Sequence, residues 1–180
     1  MPLTRDQWKT YQKGVADRLA EAGVVLTPEE RDRLEIADFG LGRFEREGLG
    51  LLTYVNTERC CAKELVMWPG QTCPQHRHPP VGAEPGKEET FRVRRGTCLL
   101  HVDGGAAAAA PKATPPSEHY TPMTEVVLHP GEQYTIPPNT WHWFQAGPEG
   151  CVVSEFSTAS RDELDIFLDS NVARIPVVED

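Results

Sequence analysis

Two spacings of apolar residues divide the chain. From residue 4 to 22 they recur at helical intervals. Trp8, Tyr11, Val15 and Leu19 fall on one stripe and Gly23 follows as a stop, which predicts an amphipathic helix. Thr27-Pro28-Glu29-Glu30 has the form of a capping box with Pro at the first helical position, which predicts a second short helix ending near Asp38. From Phe39 onward the interval shortens to two. Residues 51–55 and 62–68 read as strands, and Gly96 is expected to turn the chain into another over 97–102. Residues 125–128, 133–136, 141–145 and 151–157 supply four more. Many short strands broken by Pro and Gly predict an all-β barrel or jelly roll, with the helices outside it or at a dimer contact.

One stretch fits neither spacing. Residues 103–122, DGGAAAAAPKATPPSEHYTP, are low in complexity, and five alanines before a proline cannot hold a helix alone. They are expected to form a flexible, solvent-exposed loop without chemistry. Beyond the strands, 161–180 reads as an acidic tail that Ile166 and Phe167 pack back onto the barrel. No repeat or linker divides the chain. The expected organisation is a single domain over 1–180, with a helical segment at 1–38 and the barrel at 39–160.

Composition narrows the class. A chain of 180 residues can bury a sizeable core, and a net charge of −9 argues against nucleic acid or an anionic membrane as partner. No apolar run is long enough to cross a bilayer, and MPLTRDQWKT does not read as a signal peptide, so the expected location is the cytoplasm. The five cysteines, Cys60, Cys61, Cys73, Cys98 and Cys151, form no CxxC pair and are expected to be reduced.

The chemistry gathers around Gly70–Gly96. His76 and His78 are two residues apart, and the prolines at 69, 74, 79 and 80 exclude a helix. On a strand both imidazoles point to one face while Arg77 points away. Glu89 opens the alternating run Glu89-Phe91-Val93, and His142 brings a third imidazole from another strand. Three imidazoles and a carboxylate make a mixed N/O ligand set suited to Mn, Fe, Ni, Co or Zn. If His142 faces inward so does Phe144, with Trp141 and Trp143 opposite. Cys151, Val153, Glu155 and Ser157 share a face, and parity alone leaves Glu155 either inside the barrel or solvated. Lys87 shares the side of Glu89, where it could equally be an ordinary surface lysine.

These residues resemble a family pattern. Gly70-x5-His76-x-His78, with Glu89-x6-Gly96, resembles the first cupin motif, and Gly131-x5-Pro137-x-Asn139-x2-His142-x3-Ala146 resembles the second. Asn139 stands where Gly is usual and Ala146 where Asn is usual. Ten residues separate His78 from Glu89, more than in most cupins. With ADFGLG, YVNTERC, HRHPP, GKEETFRV and SEFST, nearly the whole chain is similar to the D-lyxose ketol-isomerase family of manganese-dependent sugar isomerases.

The resemblance implies a divalent ion, Mn2+ before Co2+, Fe2+, Ni2+ or Zn2+, held by His76, His78, Glu89 and His142. It assigns proton transfer to Lys87 and Glu155, with the Lys87 pKa depressed by burial and the nearby ion. It puts Asp165 on distal hydroxyls of the sugar. The implied reaction interconverts D-lyxose and D-xylulose, and D-mannose and D-fructose, through a cis-enediol, with a metal-assisted hydride shift on the same ligands left open. The implied assembly is a homodimer. Two other readings fit the ligand set, an Fe(II) cupin dioxygenase and a non-catalytic sugar-binding cupin.

Overall fold

The computed structural model describes residues 3–175 and 177–179; expectations for positions 1, 2, 176 and 180 lie outside the described residues. The chain begins with a short strand, β1 (Leu3–Thr4), and a helix, α1 (Arg5–Glu21). The Thr4 hydroxyl accepts from the Gln7 backbone N–H while the Gln7 side chain accepts from the Thr4 N–H, so two donors at the helix start are satisfied reciprocally. Of the expected stripe, Val15 and Leu19 are fully buried and Trp8 and Tyr11 pack partly buried beside them.

The second helix, α2 (Pro28–Asp32), starts at the expected capping box but stops well before Asp38. Strand β2 (Glu35–Ala37) takes its place and pairs antiparallel with β3 (Leu49–Asn56). Leu34, Ile36 and Ala37 are all buried, and burial against the neighbouring strand overrides the helical start.

The remaining strands are β4 (Cys61–Met67), β5 (Thr72–Arg77), β6 (Glu89–Val102), β7 (Thr124–Leu128), β8 (Gln133–Ile136), β9 (His142–Ser157), β10 (Ile166–Phe167) and β11 (Val178–Glu179). Apart from a short parallel pair of β1 with β11, they form one curled antiparallel sheet. Two expectations are corrected here. Gly96 does not reverse the chain, because β6 runs straight through it, and the strands expected at 141–145 and 151–157 are one long strand, His142–Ser157.

Strands β6 and β9 pair along their whole lengths, from Glu89 opposite Ser157 to Val102 opposite His142. Register shifts at Val93/Arg95 and Gly96/Cys98 bend this ribbon in its middle. Gly96 has φ +73°, and a Cβ there would lie 2.0 Å from the Gly150 carbonyl oxygen, so only glycine fits. One arm of the ribbon is flanked by β4, β3 and β2 on one side and β8 on the other. The second arm is flanked by β5 and β10, and by β7.

Laid flat, the part of β6 between Glu89 and Val102 would span about 40 Å. Yet the Glu89 carboxylate lies 3.0 Å from His142, whose strand partner is Val102. The ribbon therefore curls until its two ends meet. Leu51, Leu65, Phe91, Val93, Phe144 and Val153 fill the space between the arms. Each such side chain contributes about 1.5–3 kcal/mol relative to exposure. Helix α1 covers the outside of one arm through Leu52, Val66 and Val152.

The low-complexity stretch 103–122 has no regular structure, but the expectation of a free excursion is corrected. Ala113, Tyr120 and Met123 form a small core with Leu99 and Trp143 on the outside of the second arm. The Tyr120 hydroxyl donates to Glu47 at 2.6 Å, and the Glu125 carboxylate accepts from the backbone N–H groups of Lys112 and Ala113. Gln145 Oε1 accepts from the Thr114 N–H, and Gln75 Oε1 from that of Thr121. The segment is a fastened cover over Trp143, which faces away from the sheet interior and is nonetheless fully buried.

Candidate metal centre

Strand parity delivers the three imidazoles as expected. His76 and His78 come from β5 and the residue after it, His142 from the start of β9, and each offers a ring nitrogen within 4.8 Å of the others. Their second nitrogens are all committed. His76 Nδ1 donates to the Pro74 carbonyl at 2.7 Å, His142 Nδ1 to the Thr140 carbonyl at 2.9 Å, and His78 Nδ1 to Asp165 Oδ1 at 2.5 Å. These bonds fix the tautomers and leave the three Nε2 atoms to face inward. Asn139, set where the cupin pattern has Gly, has φ +56°, a conformation Asn tolerates, and its Oδ1 accepts from Arg77 at 3.1 Å.

Glu89 Oε1 lies 3.1 Å from His78 Nε2 and 3.0 Å from His142 Nε2. With its Nδ1 turned to the Thr140 carbonyl, His142 presents Nε2, a buried nitrogen, to the Glu89 carboxylate, an arrangement that a cation shared by the two would satisfy. His78 points the same way. Burial works against its charge, but Glu89 and Asp165 outweigh burial and push its pKa up to about 9. The donor set thus draws positive charge to one point, where the three imidazoles could hold a metal ion with the Glu89 carboxylate beside two of them.

Lys87 arrives by way of the ten-residue insert. Val81 and Glu84 pair across a tight turn, Gly86 has φ +103° beside the His78 carbonyl, and Lys87 enters the cavity. Its Nζ lies 2.8 Å from Glu89 Oε2 and 3.0 Å from Glu155 Oε1. Burial works to lower its pKa, but among the protein's own groups Glu155 and Glu89 prevail and hold it well above the usual lysine value. The expected depression included a divalent ion beside it, whose charge would act with burial against these carboxylates.

The parity question at Glu155 is resolved. Cys151 and Val153 lie in the core between the arms, and Glu155, on the same face, lines the cavity. Asp165 also lines the cavity, and its partner there is His78 Nδ1. Cys73 is buried among apolar residues, and burial raises its thiol pKa well above normal.

The sequence matches follow this geometry. A family model described as D-lyxose isomerase matches residues 113–180. The chain is 56% identical over 175 residues to the D-lyxose ketol-isomerase of Cohnella laeviribosi, covering 96% of each chain. It is 55% identical over 181 residues to the D-lyxose/D-mannose isomerase of Thermosediminibacter oceani, covering 99% of each. The chain belongs to the D-lyxose ketol-isomerase family. Among solved structures, the ligand-free L-ribose isomerase of Cellulomonas parahominis superposes with a TM-score of 0.75 at 16% identity, covering 99% of each chain. That of Geodermatophilus obscurus gives 0.77 at 15% identity, again over 99% of each. At such identities the likeness is one of fold.

In this D-lyxose ketol-isomerase family member the cavity also holds residues that sequence reasoning missed. Lys63 is buried opposite Glu155 on the neighbouring strand, and its Nζ donates to Ser160 Oγ at 2.9 Å and to Asp162 Oδ2 at 2.7 Å. Its signal was its phase, since Lys63, Leu65 and Met67 alternate along β4. Arg174 reaches Asp162 at 2.8 Å and pairs with Glu35. No local pattern marked Asp162 or Arg174. Phe167 stacks on His76 with ring centroids 5.4 Å apart, and Phe39 lies 5.8 Å beyond Phe167. The C-terminal segment 161–175 is thus a strap across the cavity, held by the pairing of β10 with β5 and by Ala173 N–H donating to the Phe39 carbonyl.

Proposed function

We propose that this chain interconverts D-lyxose and D-xylulose, and D-mannose and D-fructose, by proton transfer through a cis-enediol. The observation that carries the reading is the contact of Lys87 with Glu155 beside three inward Nε2 atoms, in one cavity. His76, His78, Glu89 and His142 would hold a divalent ion, Mn2+ by family resemblance. Such an ion would supply Lewis-acid polarisation of the sugar oxygens at the reacting carbons.

The remaining steps belong to side chains. The Glu155 carboxylate takes the C2 proton of the aldose and returns it to C1 of the ketose, on the same face. The Lys87 ammonium, between Glu155 and Glu89, gives its proton to O1 as the C2 proton leaves, which makes a neutral enediol, and takes the O2 proton as the C2 carbonyl forms, which restores the ammonium. Lys63, Lys87 and Arg174 set three fixed positive charges against the four carboxylates of Glu89, Glu155, Asp162 and Asp165. With a divalent ion the lining would carry one net positive charge, complementary to the negative charge that develops on the sugar oxygens as the C2 proton leaves. Asp165 orients His78 and is available to a distal hydroxyl only from its second oxygen.

The curled sheet supports a cupin jelly roll in which 1–180 is one domain; a homodimer is carried over from the family resemblance alone. Five free cysteines support the cytoplasm. The test is anaerobic turnover by metal-stripped protein reloaded with Mn2+ and given D-lyxose or D-mannose. Ketose from the wild type, with Lys87→Ala and Glu155→Gln slow yet still metal-loaded, is expected. No ketose from either sugar with Mn2+ bound sinks the reading, and activity that requires oxygen would replace it with a dioxygenase.

A further inference from the structure

Residues 38–41 form a tight turn in which the Leu41 N–H donates to the Asp38 carbonyl and the Gly40 N–H to the Asp38 carboxylate. Both central residues have positive φ, +55° at Phe39 and +69° at Gly40. Turns of this kind favour Asn-Gly, because the first central position also demands a left-handed backbone. Gly40 meets the demand; Phe39 does not, and an aromatic side chain there is a conformational outlier. Among the described residues the other non-glycine at positive φ is Asn139, which suits the conformation. Nothing in the turn itself calls for a phenyl ring at 39.

The ring is kept by what it faces. Phe39 is 2% exposed and lines the same cavity as the metal ligands, one ring beyond the Phe167 that stacks on His76. With Leu49, Leu51 and Leu65 it forms the apolar wall of a cavity whose polar lining includes Lys63, Lys87 and Glu155. A sugar whose first two carbons sit at the metal ligands would bring its distal carbons within reach of that wall. Strain held at a functional site is maintained by the contacts it makes possible, and here those contacts belong to the cavity.

We propose that Phe39 sets the chain-length specificity of the cavity: its ring limits the room for a sixth carbon and makes a five-carbon aldose the better substrate. The inference rests on the isomerase reading. A specificity wall and a core residue make different predictions. Shortening a wall relieves the sixth carbon selectively, mainly through KM, because the ring touches distal carbons and not the reacting ones. Shortening a core residue affects both sugars alike.

The experiment compares kcat/KM for D-mannose and D-lyxose in wild type, Phe39→Leu and Phe39→Ala, each with Mn2+ content measured. The ratio of mannose to lyxose is expected to rise about tenfold or more in at least one variant, the scale of one methylene in an apolar pocket. A ratio within about twofold of wild type in metal-loaded variants that still turn over lyxose overturns the proposal. A second measurement needs no variant: competition by five-carbon and six-carbon alditols against the wild type. The six-carbon alditol is expected to bind more weakly, and equal affinity also overturns the proposal. A wild type that turns over neither sugar overturns the isomerase reading and this inference with it.

Discussion

Lys87 Nζ meets Glu155 Oε1 at 3.0 Å, and the two residues reach that point by different means. Glu155 is placed by the register of β9 against β4 and β6, Lys87 by the return of the insert after His78. Their joint surroundings make them one unit, and substitutions in such a unit do not add. Glu155→Gln and Lys87→Met are each expected to lower kcat by about 10²–10⁴. The double variant should be little slower than the worse single one. In D2O part of the ketose should carry deuterium at C1, as far as the Glu155 proton exchanges with solvent before its return, whereas a hydride shift would leave C1 wholly unlabelled.

Asp165 governs His78 from outside the ligand set. Removing a carboxylate that fixes a ligand's tautomer typically weakens metal binding about 10–100-fold. Asp165→Ala should do so in competition against a chelator, and Asp165→Asn, which still accepts from Nδ1–H, should fall between it and wild type. Thermal unfolding gives a parallel readout. An ion at one hundred times its Kd stabilises by about 2.7 kcal/mol. At roughly 2–4 °C per kcal/mol, stripping the metal should lower Tm by about 5–10 °C in the wild type and by less in Asp165→Ala.

Acid should destabilise the strap through Asp162. Burial would raise its carboxyl, but Lys63, Lys87 and Arg174 outweigh burial and hold it far below the ordinary value of 3.8. The unfolded chain therefore takes up a proton at a pH where the folded chain does not. The stabilisation is fully present above the unfolded pKa and drains away as pH falls below about 4. Asp162→Asn should flatten this part of the curve between pH 2.5 and 5. It should also cost about 3–5 kcal/mol at neutral pH, because Lys63 is left buried beside a neutral partner. Urea unfolding across that range would measure both, and an unchanged slope would contradict the assignment.

Tyr120 tests whether the low-complexity cover is held in place. Its hydroxyl donates to the buried Glu47 carboxylate, and Tyr120→Phe leaves that acceptor short of a donor at a cost of about 1–3 kcal/mol. Tm should fall by several degrees while kcat is unchanged, since Tyr120 lines a separate cavity near His101 and Trp143. Protease cleavage within 103–122 should become faster. No change in Tm or cleavage would mean that the cover is held by its apolar anchors alone.

How much of this was written locally can be judged residue by residue. His76 and His78 were legible because strand parity is fixed by covalent geometry, and Glu89 because Phe91 and Val93 continue its alternation. Lys63 was legible and overlooked, in phase with Leu65 and Met67. Glu155 had a readable periodicity but no readable sign, because nothing local says which face of β9 is inside. Asp162, Arg174 and Phe39 were beyond reach, since their roles depend on the strap docking across the cavity. The misreadings at Gly96 and 103–122 share a cause. Glycine, alanine and proline report what a backbone can do, whereas bending β6 and pinning the cover are decided by distant partners such as Gly150 and Glu47.

The β6–β9 ribbon carries ligands at its opposite ends, and this gives unusual weight to residues that touch neither. Glu89 and His142 stay 3.0 Å apart only while the bend between Val93 and Cys98 keeps its angle. Each arm is a lever, so a small angular change at Gly96 or Gly150 becomes a displacement of ångströms where the levers close. Metal preference could therefore drift through substitutions in the bend while every ligand stays the same. A comparison confined to ligand identity would miss the variable that sets the distance between them.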